Sequence, residues 1–320
     1  MDLPIPELPQ LPIRLGSERI DTHHHIVPPF YRDWLAARGL DAGGLPIPQW
    51  SAEASLELMK ATRTRTAILS VSTPGVEPAE GREAASMARR LNEYCHQLTL
   101  DHPGRFGYFA TLTLPDVDRA IAEMDHAYDE LDADGVILLA NCEGTYLGDP
   151  SFEPLMKALD DRSAVVLLHP QALPGGSVPG LPAYTADFLL DTTRAALNLS
   201  RNGVLDRHPR IRFILSHGGG MIPWAAPRLS PTASPTGDPL DGLRRLRRFH
   251  LDTALTPSPF SMPALLRFAR RSHVLFGSDF PCAPAKASVA FATMLTTYPT
   301  TRHHAIDRGN AEKLFPRFAR

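Results

Sequence analysis

Ala164-Val165-Val166-Leu167-Leu168-His169-Pro170 is the stretch on which the fold turns, together with Gly135-Val136-Ile137-Leu138-Leu139-Ala140-Asn141 just before it. Neither run alternates polar with apolar residues. A strand in a half-exposed antiparallel sheet alternates, whereas a strand that is apolar throughout is covered on both faces, as in a parallel sheet packed under helices. Working outward, six more β-rich runs recur along the chain, giving eight in all: Glu18 to His25, Arg65 to Ser72, Phe106 to Leu114, Gly135 to Asn141, Ala164 to His169, Ile211 to His217, Phe249 to Thr253 and His273 to Ser278. The intervals carry apolar residues at helical spacing, as in Ala84 to Leu100, Val117 to Leu131, Phe152 to Leu159, Phe188 to Leu205, Met262 to Arg270 and Ala287 to Leu295. Eight strand-then-helix units predict an α/β fold closed as a (β/α)8 TIM barrel. With no internal repeat and no separating linker, residues 1–320 read as one barrel domain. Three Pro- or Gly-rich links read as long loops: Pro28 to Trp50, Pro170 to Pro182 and Ser230 to Asp241.

A chain of 320 residues with 43% hydrophobic content can bury a core of that size. Its 33 basic and 35 acidic side chains nearly cancel and are interspersed, which excludes a nucleic-acid arm. The one basic cluster, Arg244, Arg245, Arg247 and Arg248, has helical spacing beside Leu243 and Leu246 and reads as a solvated helix face. The start, Met1 to Pro9, has neither the basic opening nor the apolar run of a signal peptide, and no later stretch approaches a membrane span, so the expectation is a cytoplasmic protein. Cys95, Cys142 and Cys282 are scattered and odd in number, which argues against a disulfide framework and a Cys-based metal cluster. Cys282 reads as a small buried hydrophobe near the site rather than a lining residue.

The first strand ends Asp21-Thr22-His23-His24-His25, so alternation would put Asp21, His23 and His25 on one face and His24 on the other. Two imidazoles so placed can reach one cation. His169 closes the fifth run, His217 closes the sixth, and Asp279 follows the eighth. Four strand ends thus deliver ligands or acid/base groups to one rim, and it is from that rim that barrel enzymes build their sites. Three imidazoles and a carboxylate, His23, His25, His169 and Asp279, suit one Zn²⁺, with Mn²⁺ the alternative, and suit Ca²⁺ or Mg²⁺ poorly. His217, followed by Gly218-Gly219-Gly220, is assigned to catalysis rather than ligation, as is Asp279 in a second role. Asp21 reads as a neighbour of the ligands rather than as one of them. The remaining histidines read as structural or surface residues.

At this point the residues resemble a known family, the metal-dependent amidohydrolases, and within it the branch containing aminocarboxymuconate-semialdehyde and salicylate-type decarboxylases. The matching pieces are Asp21-Thr22-His23-His24-His25, His169-Pro170, Ser216 to Gly220, Leu275 to Pro281 and Gly309-Asn310-Ala311. The stretches His23 to Phe30 and Gly144 to Pro150 look most like the 6-methylsalicylate decarboxylase group. The resemblance implies an amidohydrolase-type barrel, the ligand and catalytic residues already named, and a small aromatic carboxylate as substrate; homodimers are common in that family. No lysine in Gly135 to Asn141 offers a bridge for a second metal, which departs from hydrolytic members and points to one ion.

Two reactions follow for such a site. Non-oxidative loss of carbon dioxide from a hydroxybenzoate needs the carboxylate and phenol held together and a proton for the ring carbon, supplied through Asp279 and His217. The rival is hydrolysis of an ester, lactone or amide with Asp279 as base. A third reading, a non-catalytic binder, leaves His217 and Asp279 without purpose. Phe30, Tyr184, Phe188, Trp224 and Phe280 are the aromatic wall candidates.

Overall fold

Seven parallel strands form one sheet in chain order: β1 (Arg19–His25), β2 (Thr64–Ser70), β3 (Phe106–Thr111), β4 (Gly135–Leu139), β5 (Val165–His169), β6 (Arg212–Leu215) and β7 (His250–Leu251). Every neighbouring pair in this sheet is parallel. The structure is a computed structural model and describes residues 18–319, so the stretch Met1 to Pro9 lies outside the described residues.

The eighth run, His273 to Ser278, closes the circle without a regular ladder. Val274 bridges Leu251 and Phe280 bridges His24, both in the parallel sense. Leu275 donates its N–H to the Leu251 carbonyl at 2.9 Å, and Thr22 donates to the Phe276 carbonyl at 2.9 Å. The ladder is interrupted because the Phe276 N–H turns to the Ile306 carbonyl (3.0 Å) and because the His23 carbonyl accepts from both Ser278 (3.2 Å) and Asp279 (2.8 Å). The outcome is a (β/α)8 barrel whose last strand is irregular where it carries Asp279.

Two apolar clusters explain the unbroken hydrophobicity of the strands. One residue set, Ile20, Ile68, Phe109, Ile137, Val165, Leu167, Ile214 and Leu275, packs together with Phe315 and Phe318 near the C-terminus. The opposite strand faces, with Leu69, Tyr108, Val136, Leu138, Val166 and Leu168, pack against the helices. In the helix Gly81–Asp101 the residues Ala84, Met87, Ala88, Leu91, Cys95 and Leu98 are buried, the i, i+3, i+4 stripe of a helix laid on a core. Caps fix the helix starts: the Ser51 hydroxyl accepts from the Ala54 N–H and the Asp116 carboxylate from the Arg119 N–H, each at 3.1 Å.

Two of the three expected loops are shorter than their proline content suggests. Pro28 to Trp50 contains the helix Pro29–Ala36, and Ser230 to Asp241 overlaps the helices Ile222–Ala233 and Pro239–Leu246. Pro29 and Pro239 stand at helix starts, where the missing N–H has no intrahelical partner to lose. Pro170 to Pro182 has no regular element. Three of the four clustered arginines are ion-paired at the surface, with Arg245 and Arg248 both on Asp206 and Arg244 on Asp241. Among the described residues no helix is long and apolar enough to cross a membrane.

Candidate metal centre

β1 does not keep its alternation. Asp21 pairs with Ala67 of β2 and His24 with Leu69, so three steps on β1 oppose two on β2, the signature of a bulge. The bulge turns Asp21 away from the ligand face and corrects the expectation that it lies beside His23 and His25. Its Oδ2 meets His24 Nδ1 at 3.1 Å, and its Oδ1 accepts the N–H groups of His23 (3.1 Å) and Ser278 (3.0 Å). Asp21 therefore clamps β1 to the eighth segment, while His24 Nε2 reaches the Ser55 hydroxyl at 2.9 Å.

His23, His25, His169 and Asp279 are all buried, and one ligand atom from each lies within 4.8 Å of the others. His23 Nε2 is 3.0 Å from His25 Nε2, and Asp279 Oδ1 is 3.2 Å from the first and 3.3 Å from the second. On the far side of each ring stands an acceptor. His23 Nδ1 faces Asp252 Oδ2 at 2.6 Å and His169 Nδ1 faces the Pro170 carbonyl at 2.7 Å. His25 Nδ1 faces Ser70 Oγ at 2.8 Å, and that hydroxyl can give its own proton to the His24 carbonyl at 3.3 Å.

A carboxylate and a carbonyl can only accept, so Nδ1 carries the proton in His23 and His169, and the Ser70 arrangement assigns the same tautomer to His25. Three Nε2 lone pairs and a carboxylate oxygen then converge on one space. That donor set repels itself unless a positive charge sits within it, and imidazoles oriented through Nδ1 by an acceptor are the usual dress of a metal site. The residues fit a divalent cation.

The protein's own charges demand a positive charge in this space, and a proton on His23 Nε2 answers that demand where a cation would otherwise sit. Burial opposes charge on His23, yet Asp252 and Asp279 outweigh it and push its pKa up to about 10. Burial takes His25 down to about 4, and burial with the neighbouring imidazoles holds His169 well below its usual value. Burial also works against ionisation of Asp279, but its close contacts with His217, His23 and His25, and the positive charge on His23, hold it well below the ordinary carboxylate range.

Asp279 divides its two oxygens: Oδ1 faces His23 and His25, and Oδ2 faces His217 Nε2 at 3.4 Å. His217 and Asp279 both hold positive φ, 54° and 60°, a region that non-glycine residues seldom occupy and that clusters at functional sites. The glycines after His217 permit the turn. At Gly220 (φ 63°) a Cβ would sit 2.3 Å from the Leu189 carbonyl oxygen, so no larger residue fits. His217 Nδ1 is buried without a partner.

A cavity of about 870 Å³ lies over this cluster, with His169, His217 and Asp279 in its wall. Of the five aromatic candidates, Tyr184 and Phe188 line it. Phe30 instead packs on Tyr94 under the Arg90 guanidinium, Trp224 is 82% exposed, and Phe280 stacks at a tilt on His24. Phe291 takes a lining position that periodicity did not single out. Cys282 also lines the cavity, which corrects its reading as a plain core residue. Asp252 and Ser70, which orient two of the rings, were not foreseen; the only signal for Asp252 was an acidic residue inside the seventh run.

The family model described as amidohydrolase matches residues 20–317. The chain is 38% identical over 94% of its length to a decarboxylase of Aspergillus niger, covering 88% of that protein. It is 36% identical over 93% of its length to the 6-methylsalicylic acid decarboxylase of Penicillium expansum, covering 96% of it. A solved dihydroxybenzoic acid decarboxylase from a Polaromonas species, with bound manganese, superposes with a TM-score of 0.77 at 20% identity over 94% of this chain and 97% of that one, a likeness of fold.

Proposed function

The chain belongs to the amidohydrolase family, and from that premise we propose that it is a metal-dependent carboxy-lyase that removes carbon dioxide, without oxidation, from a 2-hydroxybenzoate such as 6-methylsalicylate. The observation that carries this reading is the convergence of His23, His25, His169 and Asp279 under a largely apolar cavity, with His217 against the free oxygen of Asp279. His23, His25, His169 and Asp279 would hold one divalent ion, which would supply Lewis acidity toward an ortho-hydroxy acid. Nitrogen-rich ligation favours zinc; manganese, carried by the Polaromonas neighbour, is the alternative. Three free cysteines suit a reducing compartment, so the cytoplasm is the proposed location.

The chain's own residues supply orientation and the proton. Phe188, edge-on to His169 with ring centroids 6.1 Å apart, walls the cavity beside the cluster and excludes water. The Asp279–His217 pair takes the phenol proton and returns a proton to the ring carbon that bears the carboxylate. The bond from that carbon to the carboxylate then breaks, its electron pair stays with the ring, and carbon dioxide leaves. Protons balance within the pair, and no oxidant enters.

In deuterated water with 6-methylsalicylate, the metal-loaded enzyme places deuterium at the vacated carbon and releases carbon dioxide without consuming oxygen. Moving the phenol from ortho to para abolishes turnover, since both oxygens no longer reach one ion. Equal turnover of ortho and para acids, or cleavage of esters with no decarboxylation, overturns the proposal.

A further inference from the structure

The cavity over the metal cluster is larger than its chemistry requires. A hydroxybenzoate with a methyl group has roughly eleven non-hydrogen atoms and fills on the order of 200 Å³ at the packing density of protein interiors. The cavity measures about 870 Å³, toward the top of the range of clefts that enclose drug-sized ligands. The excess space has a definite character. Ala42, Leu45, Pro46, Leu189, Ala287 and Phe291 contribute apolar wall from three separate parts of the chain. Three hydroxyls at one side of the lining are already engaged: Thr256 Oγ1 donates to the Ala254 carbonyl at 2.9 Å, Ser258 and Ser261 bond each other at 2.6 Å, and Ser261 also reaches the Thr256 carbonyl. That leaves Thr73, Tyr184 and Thr185 as neutral polar groups of the wall.

Charge is confined to one end. Apart from His169, His217 and Asp279, no lining residue among those described is ionic, so nothing in the wall would replace the water lost by a second carboxylate, a phosphate or an ammonium. An anionic group therefore has one place to go, the cluster, and the rest of the ligand is uncharged and, against this predominantly apolar wall, largely hydrocarbon. We infer that the substrate preferred by this site is a 2-hydroxybenzoate carrying one carboxylate and an extended apolar substituent on the ring, larger than methyl and uncharged along its length. The inference rests on the decarboxylase reading and names the substrate class within it. It also defines the preceding step: a reaction that delivers an aryl acid already bearing an uncharged hydrocarbon arm.

The test uses the metal-loaded enzyme and salicylates with methyl, propyl and pentyl groups at position 6, with a carboxylate-tipped arm of pentyl length as control. Each buried methylene raises kcat/KM about threefold, on the order of a hundredfold from methyl to pentyl, and the carboxylate-tipped acid falls below methyl. Dissociation constants of the same acids for His217→Ala enzyme give a second readout independent of turnover, with the same ladder expected. Flat or falling values from methyl to pentyl in both readouts overturn the inference while leaving decarboxylation of 6-methylsalicylate in place. A ladder in affinity without carbon dioxide release overturns the decarboxylase reading and upholds the substrate class.

Discussion

Asp252→Asn changes one atom of a buried carboxylate and tests the account of how the metal centre is organised. Asp252 Oδ2 takes the proton of His23 Nδ1 at 2.6 Å, while Oδ1 accepts from the Ala254 N–H at 3.0 Å and the Gly218 N–H at 3.5 Å. The asparagine cannot serve both sides. If its oxygen stays with the two backbone donors, its NH₂ faces His23 Nδ1, and the imidazole must move its proton to Nε2, the atom that ligates. If the amide flips, two backbone donors lose their acceptor instead. Removing an orienting partner of this kind costs about 10- to 100-fold in metal affinity, equal to about 1.4–2.7 kcal/mol. The assay is chelator competition, with thermal unfolding at several metal concentrations as the check, because the stabilisation by metal falls with the affinity. Metal affinity within about threefold of the parent, in a variant folded normally without metal, would refute the tautomer argument.

Three further outcomes follow from the same geometry. His169→Ala removes one of three converging imidazoles and abolishes the bound metal, about one equivalent per chain in the parent, together with the stability it confers; full metal content by elemental analysis would strike His169 from the ligand set. His217→Ala keeps the metal and loses turnover about a hundredfold or more, so a variant that loses metal instead makes His217 a ligand. Away from the site, His250 and His273 stack at 4.1 Å with rings 2° apart. Burial, reinforced by His273 and Arg212, lowers His250 to about 3. Because the folded pKa lies below the unfolded value, this neutral ring stabilises the fold above pH 6.5. That contribution is lost as pH falls toward 3, at up to about 1.4 kcal/mol per pH unit. His250→Phe removes that slope from the pH dependence of unfolding, and identical slopes in parent and variant would contradict it.

Local periodicity carried much of this protein. Unalternating strands announced burial on both faces, their number and spacing announced the barrel, and strand ends located His23, His25, His169, His217 and Asp279 on one rim, where the structure brings ligand atoms of the first three and Asp279 within 4.8 Å of one another and sets His217 against Asp279. These are properties of residues one to four apart, and a chain displays them without folding. What needed the tertiary structure depends on partners far away in sequence. Asp21 leaves the ligand face because β1 bulges against β2, and a bulge exists only once two strands are in register. The eighth strand is irregular because Phe276 spends its N–H on Ile306, thirty residues downstream. Asp252 orients His23 across 229 positions of chain, and which aromatics face the cavity follows from how helices and loops settle around the barrel. Alternation and helical spacing encode which face of an element is covered; which residue covers it is decided by packing between elements, and no short window of the sequence holds that information.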